Sequence, residues 1–414
     1  MPVKKVLVVS YAYPPIAGIR AIPITKIVKY LEEFGWTPIV LTVRNPDPLL
    51  DKINPDFFEE EDYKDIRTVR TYCFSLGLIF GGIEKLWRSI RAIMVPDIYV
   101  GWIPHSISVA KKIIEEENVD VILCPIPPAV NIVIGALLKR MTGRSLILDY
   151  RDIELLWFPT ELHAWTVKKI HEWILKLADF VIVVNPSQKR NMLKLYPFLD
   201  VEKVRILENP FDPDDFKGVK PVRYRKFTIL YTGGIFKVPS IGVDRVAPFR
   251  VFAEATSNLV QEGVLDSSRF QVVIIGWIDS SVKNIVRELA LENIITYKGV
   301  KSHKEAIEHM LGADVLLIIP GGEIFSPTKL FEYLASRKFI LNIGSHQGEV
   351  SKVIKAANCG VTVSPNIEEF KDILPKIIAG DFIRDIRCKS TLINRFSAKE
   401  LAKRLVEIMN SSVS

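Results

Sequence analysis

Ser326-Pro327-Thr328-Lys329-Leu330-Phe331-Glu332-Tyr333-Leu334-Ala335 is the stretch on which the reading of this chain turns. It follows Asp314, the apolar run Val315-Leu316-Leu317-Ile318-Ile319, then Pro320 and the pair Gly321-Gly322. An unbroken apolar run predicts a parallel strand buried on both faces, and the segment after it predicts a helix opening from the strand's carboxyl end. Ser326 reads as the N-cap and Pro327 as the first helical residue, where a missing N–H costs nothing. Lys329 then falls in the first turn, at the positive end of the helix dipole. A cation is disfavoured there unless an anion lies between it and the free backbone amides. Glu332 stands on the same face, about one turn deeper, so a cation and a hydroxyl acceptor address one ligand. Phosphate on Lys329 and ribose hydroxyls on Glu332 would describe a bound nucleotide. The same spacing also fits an ordinary helix couple, with Lys329 snorkelling along the surface and Glu332 paired to it.

Outward from this stretch the pattern repeats. Val6 to Ser10, Thr37 to Thr42, Val119 to Cys124, Ser145 to Asp149 and Ala178 to Val184 read as strands of one half, with helices at Thr25 to Phe34 and Ala129 to Lys139. Phe227 to Thr232, Gln271 to Ile275, Ile294 to Tyr297, Phe339 to Ile343 and Gly360 to Val363 read as strands of a second half. Strand and helix in alternation predict two doubly wound parallel α/β domains, and 414 residues suit two cores better than one. Glu208-Asn209-Pro210-Phe211-Asp212-Pro213-Asp214-Asp215-Phe216, dense in Pro and Asp, reads as the linker. Asp212 and Asp214 read as turn residues there, and no metal is expected. Gly233-Gly234, after the first strand of the second half, would open backbone N–H groups to a phosphate. Asp149-Tyr150-Arg151-Asp152 ends a strand of the first half, where α/β ligand sites are found; salt-bridged loop structure fits the same charges.

The composition, 48% hydrophobic and 25% charged, is that of a globular protein. The net charge of +7 is shared between 27 basic and 24 acidic residues through Arg205 and 28 and 24 after it, so no basic tail points to nucleic acid. Cys73, Cys124, Cys359 and Cys388 have neither metal nor disulfide spacing, and a reducing cytoplasm is expected. The apolar strand after Lys4-Lys5 is too short for a signal-peptide core, and no apolar run approaches the roughly 20 residues of a spanning helix. In residues 74–104 aromatics alternate with Lys85, Arg88 and Arg91, which fits an interfacial segment on a membrane and also fits burial against the sheet. A dinucleotide fingerprint is absent after the first strand, which disfavours a nicotinamide enzyme.

The 321–341 block resembles the C-terminal signature of family-4 glycosyltransferases, closest to a subgroup reading Pro-x-Lys-Leu-x-Glu-Tyr-Leu-Ala, here Pro327, Lys329, Leu330, Glu332, Tyr333, Leu334 and Ala335. The resemblance implies a GT-B fold, two Rossmann-like doubly wound domains facing a cleft. It also implies a retaining, metal-independent hexosyltransferase using a UDP- or GDP-linked sugar and no other cofactor. Polysaccharide or lipid-linked glycan synthesis, in the cytoplasm or peripherally on the inner face of a membrane, is what the subgroup usually does. Glu332 matches the family's ribose-binding glutamate; the partner glutamate eight places earlier would fall at Ile324, with Glu323 one place before it. Tyr13-Pro14-Pro15, Gly18 and Arg20 are similar to the family's opening loop, where a glycine lets backbone approach the donor. The family reads the nucleobase by backbone at the position of Val300. The subgroup's Asp-x-Arg-Asp is present as Asp149, Arg151 and Asp152. Many members clamp the diphosphate with an arginine where this chain has Gly234, so Lys237, Arg245 or Arg250 would have to substitute. Expected domains are 1–205 on the acceptor side, a 206–224 linker, 225–394 for the nucleotide sugar, and a 395–414 helix returning to the first domain. Donor contacts are expected from Gly18, Gly233, Gly234, Val300, Glu323, Ser326, Thr328 and Glu332, and the chemistry from Lys329 with Asp149, Arg151 and Asp152. A nucleotide-sugar-binding protein without transfer activity is the alternative.

Overall fold

A computed structural model describes residues 3–18, 20–47, 51–54, 57–58, 60–74, 94–151, 161–239, 242–384 and 386–413. Asp152 and residues 75–93 of the interfacial candidate lie outside these. The chain divides into two compact units, Met1–Pro210 with Ala398–Ser414, and Phe211–Ser397.

In the first unit, β1 (Lys4–Val9), β2 (Trp36–Val43), β3 (Arg67–Thr71), β4 (Val121–Ile126), β5 (Ser145–Tyr150), β6 (Phe180–Val183) and β7 (Val204–Ile206) form one parallel sheet in the order β3-β2-β1-β4-β5-β6-β7. Its strands bury alternate side chains on opposite faces. Leu7 and Val9 join the core formed with α2 (Ile103–Glu117), α3 (Val130–Thr142), α4 (Glu161–Leu177) and α5 (Pro186–Leu195). Val6 and Val8 join the core formed with α1 (Ile22–Val28) and the last helix, Ala398–Ser412, through Leu401, Leu405 and Met409. The helix expected over Thr25 to Phe34 is shorter: α1 starts earlier, at Ile22-Pro23, and Glu32–Phe34 is a separate 3-10 turn closed by Gly35 at φ 78°. In the described part of the interfacial candidate, Phe74 is exposed, whereas Met94, Tyr99 and Trp102 are buried, Trp102 donating to Thr71 Oγ1 at 2.8 Å. Burial against the sheet accounts for that part. Among the described residues no helix is long and apolar enough to cross a membrane.

The second unit repeats the plan. β8 (Phe227–Thr232), β9 (Phe270–Ile275), β10 (Ile295–Gly299), β11 (Val315–Ile318), β12 (Phe339–Ile343) and β13 (Gly360–Val363) are parallel, in the order β10-β9-β8-β11-β12-β13. Ile229, Tyr231, Val315 and Leu317 face a core with α6 (Val246–Gln261), α7 (Ser280–Glu288) and α11 (Ile367–Ala379). Leu230, Leu316 and Ile318 face a core with α8 (His303–Gly312), α9 (Thr328–Ser336), α10 (Glu349–Ala357) and the short α12 (Ser390–Asn394). The sheet reverses its winding between β8 and β11, and in such sheets the crevice at the carboxyl ends of the two strands is where ligands bind. Gly233-Gly234 leaves β8 at that edge, and the segment leading to α9 leaves β11 beside it.

Candidate functional site

Three strand ends and the first turns of two helices make the edge of the second unit. The N-cap of α9 is Pro327, extended at φ −63°, ψ 144°, and no side chain caps the helix. Ser326 therefore lies one residue outside the position expected of it, and Thr328 opens the helix. The Leu330 amide reaches back to Pro327 O at 2.9 Å, while the amides of Thr328 and Lys329 have no preceding carbonyl within the helix to bond.

Lys329 and Tyr333, one turn apart on one face, both reach Thr232 at the end of β8. Lys329 Nζ donates to Thr232 O at 2.6 Å and sits 3.7 Å from the centre of the Tyr231 ring. Tyr333 Oη accepts from the Thr232 amide at 2.9 Å and lies 3.0 Å from Thr232 Oγ1. The lysine side chain as a whole is half-buried, but its ammonium, pressed between ring and carbonyl, is desolvated. Burial pushes its pKa well below the ordinary lysine value, Arg245 pushes it further, and Glu332 acts against both. Gly233, at φ 102°, makes room for this: a Cβ there would stand 3.2 Å from Lys329 Nζ. Its own amide is committed to Ile275 O at 2.7 Å, extending the β8–β9 pairing, so it is not the open donor expected from the sequence.

Glu332 is directed elsewhere. Its Oε1 accepts from His303 Nε2 at 2.8 Å, and His303 Nδ1 stands 4.0 Å from Asp215 Oδ2. His303 is the first residue of α8, held there by a reciprocal cap in which Ser302 Oγ accepts from the Glu305 amide and Glu305 Oε2 from the Ser302 amide. Sequence reasoning passed over His303, although the Ser302-x-x-Glu305 spacing around it announces a helix start. Val300, exposed, lies between β10 and this cap, so the expected base contact and the ribose glutamate share one corner of the unit.

Of the basic residues proposed to replace the missing clamp, Lys237 pairs with Asp244 at 2.9 Å, and Arg250 with Glu254 and Glu288 at 3.2 and 2.8 Å. Arg245 instead donates to Ile319 O at 3.1 Å and Pro320 O at 3.4 Å, beyond the end of β11, and its charge is felt by Lys329. The geometry thus brings Lys329, Arg245 and Gly233 together, with Glu332, His303 and Val300 beside them. Gly234 follows, its carbonyl accepting from Tyr231 Oη at 2.8 Å. Glu323 is exposed, and its carbonyl accepts from the Glu349 amide at 2.8 Å.

The remaining candidates belong to the first unit. Gly18 adopts φ 133°, open only to glycine. Asp149 and Arg151 are buried and joined, Arg151 Nε donating to Asp149 Oδ2 at 2.8 Å while Nη1 donates to Leu207 O at 3.3 Å and Glu208 O at 2.9 Å. Burial raises the Asp149 pKa and the guanidinium opposes it. Asp149 Oδ1 has no hydrogen-bond partner among the described residues. The arginine therefore ties the end of β5 to the chain after β7, which is the salt-bridged reading of this motif.

No family model matches this chain, and no curated protein does. Solved structures do resemble it. A glycosyltransferase from Rickettsia africae ESF-5 is 18% identical over 100% of both chains, with a TM-score of 0.68. Sucrose-phosphate synthase from Thermosynechococcus elongatus is 16% identical over 99% of this chain and 98% of its own, with a TM-score of 0.69. HepE of Anabaena, solved in complex with UDP, is 13% identical over 99% of this chain and 100% of its own, with a TM-score of 0.63. At these identities the likeness establishes the fold: two Rossmann-like, parallel-sheet domains of the kind found in GT-B glycosyltransferases.

Proposed function

We propose that the second unit binds a nucleoside-diphosphate sugar and that the protein transfers the sugar, with retention and without a metal, to a hydroxyl acceptor. One observation carries the reading. The ammonium of Lys329 is desolvated at the switch point of a doubly wound sheet, beside the first-turn amides of α9 and within reach of the charge on Arg245. Two cations near one another, one of them desolvated, are a poor arrangement unless an anion joins them. A diphosphate supplies that anion.

In this reading Lys329, Arg245 and the amides at Thr328 and Lys329 hold the leaving diphosphate and stabilise the charge that develops on it. Glu332, aligned by His303, accepts the ribose hydroxyls, and backbone at Val300 meets the base. Ser326, Gly234 and Glu323 are the remaining donor contacts. The acceptor attacks from the face the diphosphate leaves, so no side-chain base is required. Gly18 remains a donor-side candidate from the first unit and Asp152 a candidate for acceptor or sugar contact, whereas the pairing of Asp149 with Arg151 favours a structural duty for both. The UDP carried by HepE makes uridine the first base to try. Polysaccharide or lipid-linked glycan assembly, with the acceptor met at a membrane surface, completes the proposal.

A paired Rossmann fold serves several chemistries, and the isoleucine at 324 supports the second reading, donor binding without transfer. Incubating the full chain with UDP- and GDP-sugars separates them. Release of UDP or GDP that is stimulated by an acceptor glycan supports transfer. A raised melting temperature with no turnover across acceptors supports binding alone, and neither response overturns both.

A further inference from the structure

A cavity of about 290 Å³ opens beside the phosphate corner of the second unit, lined by the 320–323 and 342–345 turns, the start of α10, Asp244, Pro248 and Ser364. Its volume is near the lower end for small-ligand sites. At its floor lies Asn342, in a strand otherwise wholly apolar and itself 1% exposed. The amide is anchored at one end: Nδ2 donates to Thr362 Oγ1 at 3.1 Å, and Thr362 Oγ1 donates to Ser351 Oγ at 2.9 Å. The other end, Oδ1, has no hydrogen-bond partner among the described residues. It points toward the cavity wall formed by Gly344 and Pro320, since a Cβ on Gly344 would stand 3.7 Å from Oδ1 and 3.4 Å from Pro320 Cγ. A buried carbonyl left this way costs stability unless a donor reaches it.

The lining says what kind of donor. Among the described residues no basic side chain lines the cavity, while two carboxylates, Asp244 and Glu323, do. Asp244 is already engaged, with Lys237 and with the amides of Val246 and Ala247 at 2.9 Å. The two carboxylates disfavour a phosphate or carboxylate ligand here, against the pull of the first-turn amides of α10. Hydroxyls of Ser345 and Ser364, an amide carbonyl and proline faces instead suit a neutral ring that carries hydroxyls on an apolar frame. The cavity is also placed to receive one, because Gly321 on its rim packs against Arg245, whose Nε would lie 3.4 Å from a Cβ at that glycine.

We propose that this cavity takes a neutral sugar ring and that Asn342 Oδ1, accepting one ring hydroxyl, is a specificity-determining contact for it. The inference rests on the reading that Lys329 and Arg245 hold a diphosphate, which makes the donor's own sugar the occupant; a free monosaccharide offers the same chemistry. The test is calorimetric titration of the full chain with UDP, GDP, UDP-glucose, UDP-galactose, UDP-N-acetylglucosamine, GDP-mannose and the free sugars. For the sugar nucleotide with the largest affinity over its own diphosphate, Asn342→Leu lowers that ratio about tenfold and leaves UDP or GDP binding unchanged. Gly344→Ala, whose methyl meets only ordinary contacts, narrows the cavity and lowers the same ratio in a variant that keeps the Thr362 anchor. A ratio unmoved in both variants overturns the proposal, as does a loss that falls equally on the bare diphosphate. If the wild type binds no nucleotide but binds a free sugar, and both variants lose it, the cavity stands and the diphosphate reading falls. Binding of neither class overturns both.

Discussion

Replacing Lys329 with methionine separates two duties that one side chain could have, a structural strut or a preset anion grip. Methionine keeps the length and flexibility and removes the charge. In the ligand-free protein the ammonium gains one charge-assisted bond to Thr232 O at 2.6 Å, worth about 1.5–3 kcal/mol, and a contact with the Tyr231 ring at 3.7 Å, worth up to about 2 kcal/mol when desolvated. Against these stand a desolvation cost of several kcal/mol and the repulsion of Arg245. The two sides nearly cancel, so Lys329→Met should change stability by no more than about 1 kcal/mol, a shift in melting temperature of roughly 2–4 °C for a unit of this size. Donor binding has no such cancellation. Loss of a charge-assisted bond to phosphate should weaken UDP or UDP-sugar binding roughly ten- to a hundredfold. Calorimetry on the variant and a thermal melt without ligand make the pair of measurements. Unchanged affinity, or a melt lowered by more than about 8 °C with affinity intact, would refute the anion grip and leave a strut.

The same lysine makes binding depend on pH. Its folded pKa lies below its unfolded value, so between the two the unfolded chain holds more protons, and the ligand-free protein gains stability from this group as pH rises through that window. A bound phosphate raises the folded pKa again, so binding takes up a proton and weakens as pH rises through the free protein's Lys329 pKa; titrations in buffers of different ionisation enthalpy that detect no uptake at any alkaline pH would contradict this. Glu332→Gln should cost UDP binding about five- to tenfold while leaving inorganic pyrophosphate unaffected, and His303→Gln should follow it with a smaller loss; equal losses on pyrophosphate would move Glu332 from the ribose to the phosphates. Gly276 has φ 132°, and a Cβ there would stand 2.2 Å from Gly233 O. Gly276→Ala should therefore destabilise by about 2 kcal/mol or more in urea denaturation, and clearly more than Gly218→Ala, whose Cβ meets open space.

What could be read ahead of the structure follows from how far each interaction reaches along the chain. β11 is an unbroken apolar run, and β8 is apolar at four of its six positions, because helices cover both faces of the sheet, and that pattern is local; the Lys329–Glu332 spacing is local too, being one helix turn. The partners of these residues are not. Thr232 is 97 residues from Lys329, and His303 is 29 from Glu332, so no spacing rule joins them. The choice of Arg245 was half-legible, since Arg250 and Glu254 form a helix pair that spends one rival, but the pairing of Lys237 with Asp244 depends on a two-stranded hairpin and that of Arg250 with Glu288 on the packing of α6 beside α7. The amide of Gly233 looked open because a strand's end in sequence does not say how far its neighbour continues the ladder; Ile275 does continue it. Asn342 is the instructive case. Within Phe339–Ile343 it is the single polar residue of a strand buried on both faces, and a buried amide must be satisfied. One end of Asn342 is satisfied by Thr362 and the other faces the cavity. A lone polar side chain near the carboxyl end of an apolar parallel strand is therefore a local signal, legible in five consecutive letters, that a partner for it must come from elsewhere; Thr362 is one, and the proposed sugar hydroxyl would be the other.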